Sequence, residues 1–207
     1  TVADHQSTLE RAAITLAGNQ AKSVTGSGGL AAANSAMVTE GRVQGTTLTL
    51  SANSAANVQS TGYAAQAGGG LLFSASQQSA ALANALAVTG SQLDAPTLAI
   101  AGNTASALNA RGGALVANSV ALENGSGAPS QLSAGGSLVG NTARDMGTTA
   151  DSVSGAGGLA SRESRARAAA NALVLHDGAL VDASSPWLVA GNTAREVQAP
   201  GGTALVN

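Results

Sequence analysis

The chain has 207 residues, 44% of them apolar, 10% charged and 1% aromatic, with a formal net charge of −2 and no cysteine. That balance excludes a disulfide scaffold and any cysteine-based metal site or nucleophile. It offers no basic field for nucleic acid or an anionic membrane, and it lacks the weakly hydrophobic, strongly charged signature of a disordered chain.

With Tyr63, Phe73 and Trp187 as the only aromatics, the core has to be built from Leu, Val, Ile and Ala in thin layers that repeat. The sequence opens at Thr1 without Met, shows no signal peptide and holds no apolar run of about 18 residues. A piece of a longer exported protein, with no segment inserted in a membrane, is therefore expected.

Taken in order, the first strand-like run, AITLAG at 13–18, meets Asn19, and the pair Gly28-Gly29 follows. Asn34 then leads SAMVTEG, and TTLTLSA at 46–52 meets Asn53. After Gly69-Gly70 come Asn84 leading ALAVTGS and PTLAIAG at 96–102 meeting Asn103. Gly112-Gly113, Asn118 leading SVALENG, and SLVG before Asn141 repeat the order. It closes with Gly157-Gly158, Asn171 leading ALVLHDG, LVAG before Asn192, and Gly201-Gly202. Each run is too short for a helix and stops at Gly, Asn or Asp, the pattern of a strand followed by a turn.

From one glycine pair to the next the period is 41 to 45 residues. A unit of short strands cannot bury its own face and is stable only when stacked on its neighbours. The expected fold is all-β: a parallel β-helix, or β-solenoid, with three faces and one strand per face, of about four or five coils in a single segment spanning 1–207. Asn19, Asn53, Asn103, Asn141 and Asn192, with Asn34, Asn84, Asn118 and Asn171, are expected to form ladders at tight bends. There the amide bonds backbone groups left unpaired and Asn tolerates the left-handed conformation. The Ala two places after each of the first five Asn should fill an inner corner.

The Gly-Gly-Ala-Leu at 112–115, paired with an apolar-x-x-Asn box, resembles the repeats of the chlamydial polymorphic membrane proteins and related autotransporter passengers, which read Gly-Gly-Ala-aliphatic and Phe-x-x-Asn. Here the other pairs read GGLA, GGLL, GGLA and GGTA, and Leu16, Leu50, Ile100, Leu138 and Val189 stand in place of the Phe. The resemblance implies a surface-exposed or secreted bacterial right-handed parallel β-helix, outside the cell, often an adhesin that binds a host-cell or bacterial-surface protein or glycan, with self-association as a further option.

Spacing between the phrases alternates, which predicts side loops on every second coil at 54–67, 73–83, 142–156 and 160–170. The first pair carries Tyr63 and Phe73; the second carries Arg144, Asp145, Arg162, Arg165 and Arg167. Tyr63 and the charged set are the candidate ligand contacts, since exposed aromatic and arginine side chains dominate interfaces; Phe73 reads as core, and 163–173 also reads as a short solvated helix. Polysaccharide cleavage would need two carboxylates about 5–10 Å apart across a cleft. Asp94, Asp145, Asp151, Asp177 and Asp182 recur at no common strand position, so no catalytic residue is assigned. No cofactor or metal is expected: His5 and His176 are far apart, and His176 falls where Thr39, Thr89 and Glu123 stand in matching phrases. The reading is an adhesin segment without enzymatic activity; a ligand-free stalk, or a polysaccharide-processing β-helix, are the alternatives.

Overall fold

The computed structural model describes residues 2–4, 8–27, 30–61, 80–111, 114–123, 130–149, 167–176, 179–180, 186–199 and 203–207. Among the described residues there is no helix, and every strand pairing is parallel.

Four sheets stack the strands in sequence order. Sheet I is Val2–Asp4, Ala36–Thr39, Leu86–Thr89, Val120–Glu123 and Leu173–His176. Sheet II has two halves, Thr8–Glu10 with Ala13–Ala17 and Arg42–Gln44 with Thr47–Ser51, which fuse in Gln92–Ala101 and Gln131–Val139 and part again as Ala179–Leu180 and Trp187–Ala190. Sheet III is Gln20–Ser27, Ser54–Thr61, Thr104–Arg111, Thr142–Thr149 and Thr193–Gln198. Sheet IV is Leu30–Ala33, Ala80–Ala83, Ala114–Ala117, Arg167–Ala170 and Thr203–Val206. The chain visits sheets I to IV in that order five times, and each pass is one tier with four faces where three were expected.

Alternation decides what faces inward. Leu48, Leu50, Leu98, Ile100 and Leu138 of sheet II pack with Ala36, Val38, Leu86 and Val120 of sheet I in one core. Ala55, Val58, Ala105, Leu108 and Met146 of sheet III pack with Ala31, Ala81, Leu115 and Ala168 of sheet IV in a second. Of the five expected inner-corner alanines, Ala55, Ala105 and Ala143 are fully buried, while Ala21 and Ala194 in the end tiers are half-buried against the same core.

In sheet IV the first strand, LAAA, alternates, with Leu30 and Ala32 exposed, but AALA and ALVA are apolar throughout, the mark of strands covered on both faces. The sheet's outward Leu82, Val116 and Ala169 are indeed buried, packed with Ala85 and Ala121 in a third, external cluster.

The two Asn columns stand where the cores meet. In the first, between sheets II and III, the backbone N–H and the Nδ2 of Asn19 both donate to Oδ1 of Asn53 at 3.0 Å. Asn53 repeats this on Asn103, Asn103 on Asn141 and Asn141 on Asn192, at 2.9 to 3.1 Å. The second Nδ2 hydrogen reaches back one tier, to the carbonyls of Leu16, Leu50, Ile100 and Leu138.

The second column, between sheets IV and I, runs Asn34, Asn84, Asn118, Asn171 and Asn207 through Nδ2–Oδ1 bonds of 2.9 to 3.1 Å. Its spare Nδ2 hydrogens go to the carbonyls of Ser54, Thr104, Thr142 and Thr193, each the residue after a first-column Asn. The two columns are thus tied together across the interior and form a polar waist between the two apolar cores.

Several sequence expectations change. The second column is left-handed at Asn itself, with φ of 49 to 56°. In the first column the residue before Asn takes that conformation instead: Gly18, Ala52, Gly102, Gly140 and Gly191, at 52 to 65°. Glycine pairs directly precede the sheet IV strand at Leu30, Ala114 and Thr203, but the strands at Ala80 and Arg167 begin well after Gly69-Gly70 and Gly157-Gly158, which lie outside the described residues.

Tiers therefore do not measure a uniform 41 to 45 residues. They alternate, at 34, 50, 38 and 51 residues along the first column and 50, 34, 53 and 36 along the second. The longer steps contain 62–79 and 150–166. Of the segments expected as loops, 54–61, 80–83, 142–149 and 167–170 are strand, and the rest lies outside the described residues. Strand formation at Arg167–Ala170 also replaces the option of a helix there.

Candidate functional site

Sheet III positions the charged residues singled out from the sequence. Arg144 and Asp145 lie within the strand Thr142–Thr149, not in a loop, and are followed by inward Met146, fully buried. The strand bends between them and the core: Asp145 has φ of 55°, as Ser23, Asn57, Ala107 and Glu196 have 53 to 57° at the matching place of the other four strands. Register skips that place, pairing Ser106 with Arg144 and Leu108 with Met146. The bend turns two successive side chains outward, which is why Arg144 and Asp145 are both exposed. Their side chains approach to 4.0 Å between Nε and Oδ2, at 60% and 48% exposure. An exposed pair of this kind contributes about 0–1 kcal/mol.

Arg144 has Arg195 directly beside it on the next strand, a neighbour the sequence did not reveal. The signal was there in the phrases NTARD and NTARE, which place Arg three residues after Asn141 and Asn192. Arg167 opens the sheet IV strand Arg167–Ala170, away from this pair in the fold. Tyr63, Arg162 and Arg165 lie outside the described residues, as does Phe73. Of the acidic residues weighed for sugar cleavage, Asp94 is on sheet II and Asp145 on sheet III, while Asp151, Asp177 and Asp182 are outside the described residues.

His176 stands in register with Glu123, which pairs with Thr89 and through it Thr39, as the phrases implied. No group of three or more His, Asp or Glu able to hold a metal occurs among the described residues. With no helix among them, the described residues hold none long and apolar enough to cross a membrane.

Trp187 belongs to the packing. Its register partner is Gly136, and beyond it Leu98. The indole covers Gly136, where an added Cβ would stand 2.9 Å from Cζ3 and 2.8 Å from the Leu98 carbonyl oxygen. Nε1 donates to the carbonyl of Ala134 at 2.9 Å, so the ring is fixed at both ends.

Set against protein-family models, curated proteins and solved structures, the chain matches none.

Proposed function

We propose that the chain is a segment of a right-handed parallel β-helix from the passenger portion of a bacterial surface-exposed or secreted adhesin. On this reading it holds inserted segments on one side of a rigid stack to bind a protein or glycan of a host or neighbouring cell. The observation that carries the proposal is positional. Strand register is kept through five tiers, while 62–79 and 150–166 both enter at the boundary between sheets III and IV, two tiers apart.

Insertions at one corner of a repeat array project to one side, and that side is commonly the binding face. Right-handedness follows the general rule for parallel strands joined by crossovers. Two satisfied amide columns suit a support that must keep its shape while its insertions vary. The extracellular location, and the autotransporter class, rest on the repeat phrases.

The test replaces 62–79 and 150–166 with two-glycine corners like Gly112-Gly113. The trimmed chain should keep its far-UV spectrum and urea midpoint yet lose binding to host-cell surface proteins and glycans in a screen. An intact chain that binds nothing would support the stalk reading instead. A trimmed chain that binds as the intact one does would refute the role given to the insertions.

A further inference from the structure

Among the described residues, every exposed large apolar side chain lies in one of the two outermost tiers: Leu30 in the first, and Leu188, Val189, Leu205 and Val206 in the last. Val189 and Val206 continue the inward columns of Leu138 and Ala170, which are fully buried. They are nevertheless 44% and 51% exposed, because no tier covers them. In the first tier Ile14 and Leu16 are only half-buried against the same core.

The amide columns stop at these tiers with complementary groups. On the last tier the backbone N–H and one Nδ2 hydrogen of Asn192, the Nδ2 hydrogens of Asn207 and the carbonyl of Val189 lack the described partners that their counterparts have one tier earlier. On the first tier Oδ1 and one Nδ2 hydrogen of Asn19, Oδ1 of Asn34 and the carbonyl of Gln20 lack the described partners that their counterparts have one tier later. When a last tier is laid on a first tier in the register the sheets already use, the two sets satisfy each other. Asn192 donates to Asn19 Oδ1 and Asn19 to the Val189 carbonyl, while Asn207 donates to Asn34 Oδ1 and to the Gln20 carbonyl.

That match selects the occupant. An open strand edge can pair with any extended chain, but only a stack with two Asn rows at this separation fills both columns. This chain's own first tier carries them. Two first tiers would set acceptor against acceptor, and two last tiers donor against donor. The segments 62–79 and 150–166 enter the second and fourth tiers, so both outermost tiers are bare at that corner.

We infer that copies of this chain associate end to end, the last tier of one on the first tier of the next, with sheets and amide columns continuous across the contact. Such a contact is heterologous and does not close, so it propagates as a linear filament. It stands whether or not the insertions bind a ligand.

The absence of cysteine from the chain allows a register-specific test. Thr15 and Leu188 begin and end one outward column of sheet II, at opposite ends of the stack. Across the inferred contact they are neighbours, about 4.8 Å apart and within disulfide reach. Under mild oxidation Thr15→Cys/Leu188→Cys should give dimers, trimers and longer species on a non-reducing gel. Each single variant should stay monomeric, as should Thr25→Cys/Leu188→Cys, whose sites lie on different sheets. In sedimentation the unaltered chain should grow beyond a dimer with concentration. Val189→Lys/Val206→Lys, with an unchanged far-UV spectrum, should associate at least about tenfold more weakly. An unaltered chain that stays monomeric, cross-linking by Leu188→Cys alone or by the mismatched pair at the level of the matched pair, or association indifferent to the lysines would each overturn the inference. The cysteine sites are exposed, so the cross-linking pattern decides the matter even if the lysine variant fails to fold.

Discussion

Replacing Asn103 by Ala removes one link from the middle of the first column. The side chain takes part in four hydrogen bonds: it accepts from the N–H and Nδ2 of Asn53 at 2.9 and 3.0 Å, and donates to Leu50 O at 2.9 Å and to Asn141 Oδ1 at 3.1 Å. Asn141 keeps the backbone N–H of residue 103 as a donor. The N–H and one amide hydrogen of Asn53 and the carbonyl of Leu50 lose this partner at a site with no solvent access to Asn103. Each unpaired buried group costs about 1–3 kcal/mol, and groups left together share relaxation, so the substitution should cost about 3–6 kcal/mol. Asn103→Leu, which restores the volume but none of the bonds, should be no better. Asn19→Ala, at an exposed member of the same column, should cost less than about 1 kcal/mol. Urea unfolding followed by the fluorescence of Trp187 and by far-UV circular dichroism measures all three. A loss below about 1 kcal/mol at Asn103, or equal losses at 103 and 19, would refute the assignment of stability to the ladder bonds.

Ala52 alone stands at a left-handed corner that glycine fills in the other four tiers. Ala52→Gly removes a conformational cost of about 1–2 kcal/mol against about 0.4–1 kcal/mol of added unfolded-chain entropy, so thermal unfolding should shift upward by about 0.5–1 kcal/mol of stability. Gly136→Ala should cost about 1–3 kcal/mol and alter the Trp187 emission, because the new methyl group meets both the indole and the Leu98 carbonyl; an unchanged emission maximum would contradict the packing described. Val116→Asp places a charge in the external cluster beside Leu82 and Ala169 and should lower stability by about 3 kcal/mol or more. Thr49→Asp on the outer face of sheet II should change it by no more than about 0.5 kcal/mol.

The Asn columns were legible because the short Asn amide, with one acceptor and two donor hydrogens, bonds its copy in the next tier and a backbone carbonyl at once, so the residue recurs wherever a tier passes the bend. Asn207 was legible too, since GG-TALV-N repeats the spacing of GG-LAAA-N and GG-ALVA-N, but a search for Asn leading an apolar run passes over one at position 207. Glycine pairs misled for a physical reason: they suit a corner, and they equally suit an inserted segment, so Gly69-Gly70 and Gly157-Gly158 imitate a landmark they do not supply. The external cluster went unread because Leu82 and Val116 sit in apolar runs that look like strands of any kind; only the missing alternation marks burial on both faces. Arg144 and Asp145 were read as loop residues, since a bend inside a strand, recurring from Ser23 to Glu196, leaves no fixed residue type in the sequence. Their neighbour Arg195 was hidden by distance along the chain.

Within both columns every amide is oriented alike, its nitrogen toward the following tier and its oxygen toward the preceding one. Aligned amides polarise one another, and their dipoles add along the axis as those of a helix do. The stack consequently has an electrical direction that the sheets, whose own net dipoles are small, do not supply. Any tier presents the same acceptors on one side and the same donors on the other. A duplicated or deleted short-and-long pair leaves both amide rows unbroken, so the ladders themselves set no limit on the number of tiers.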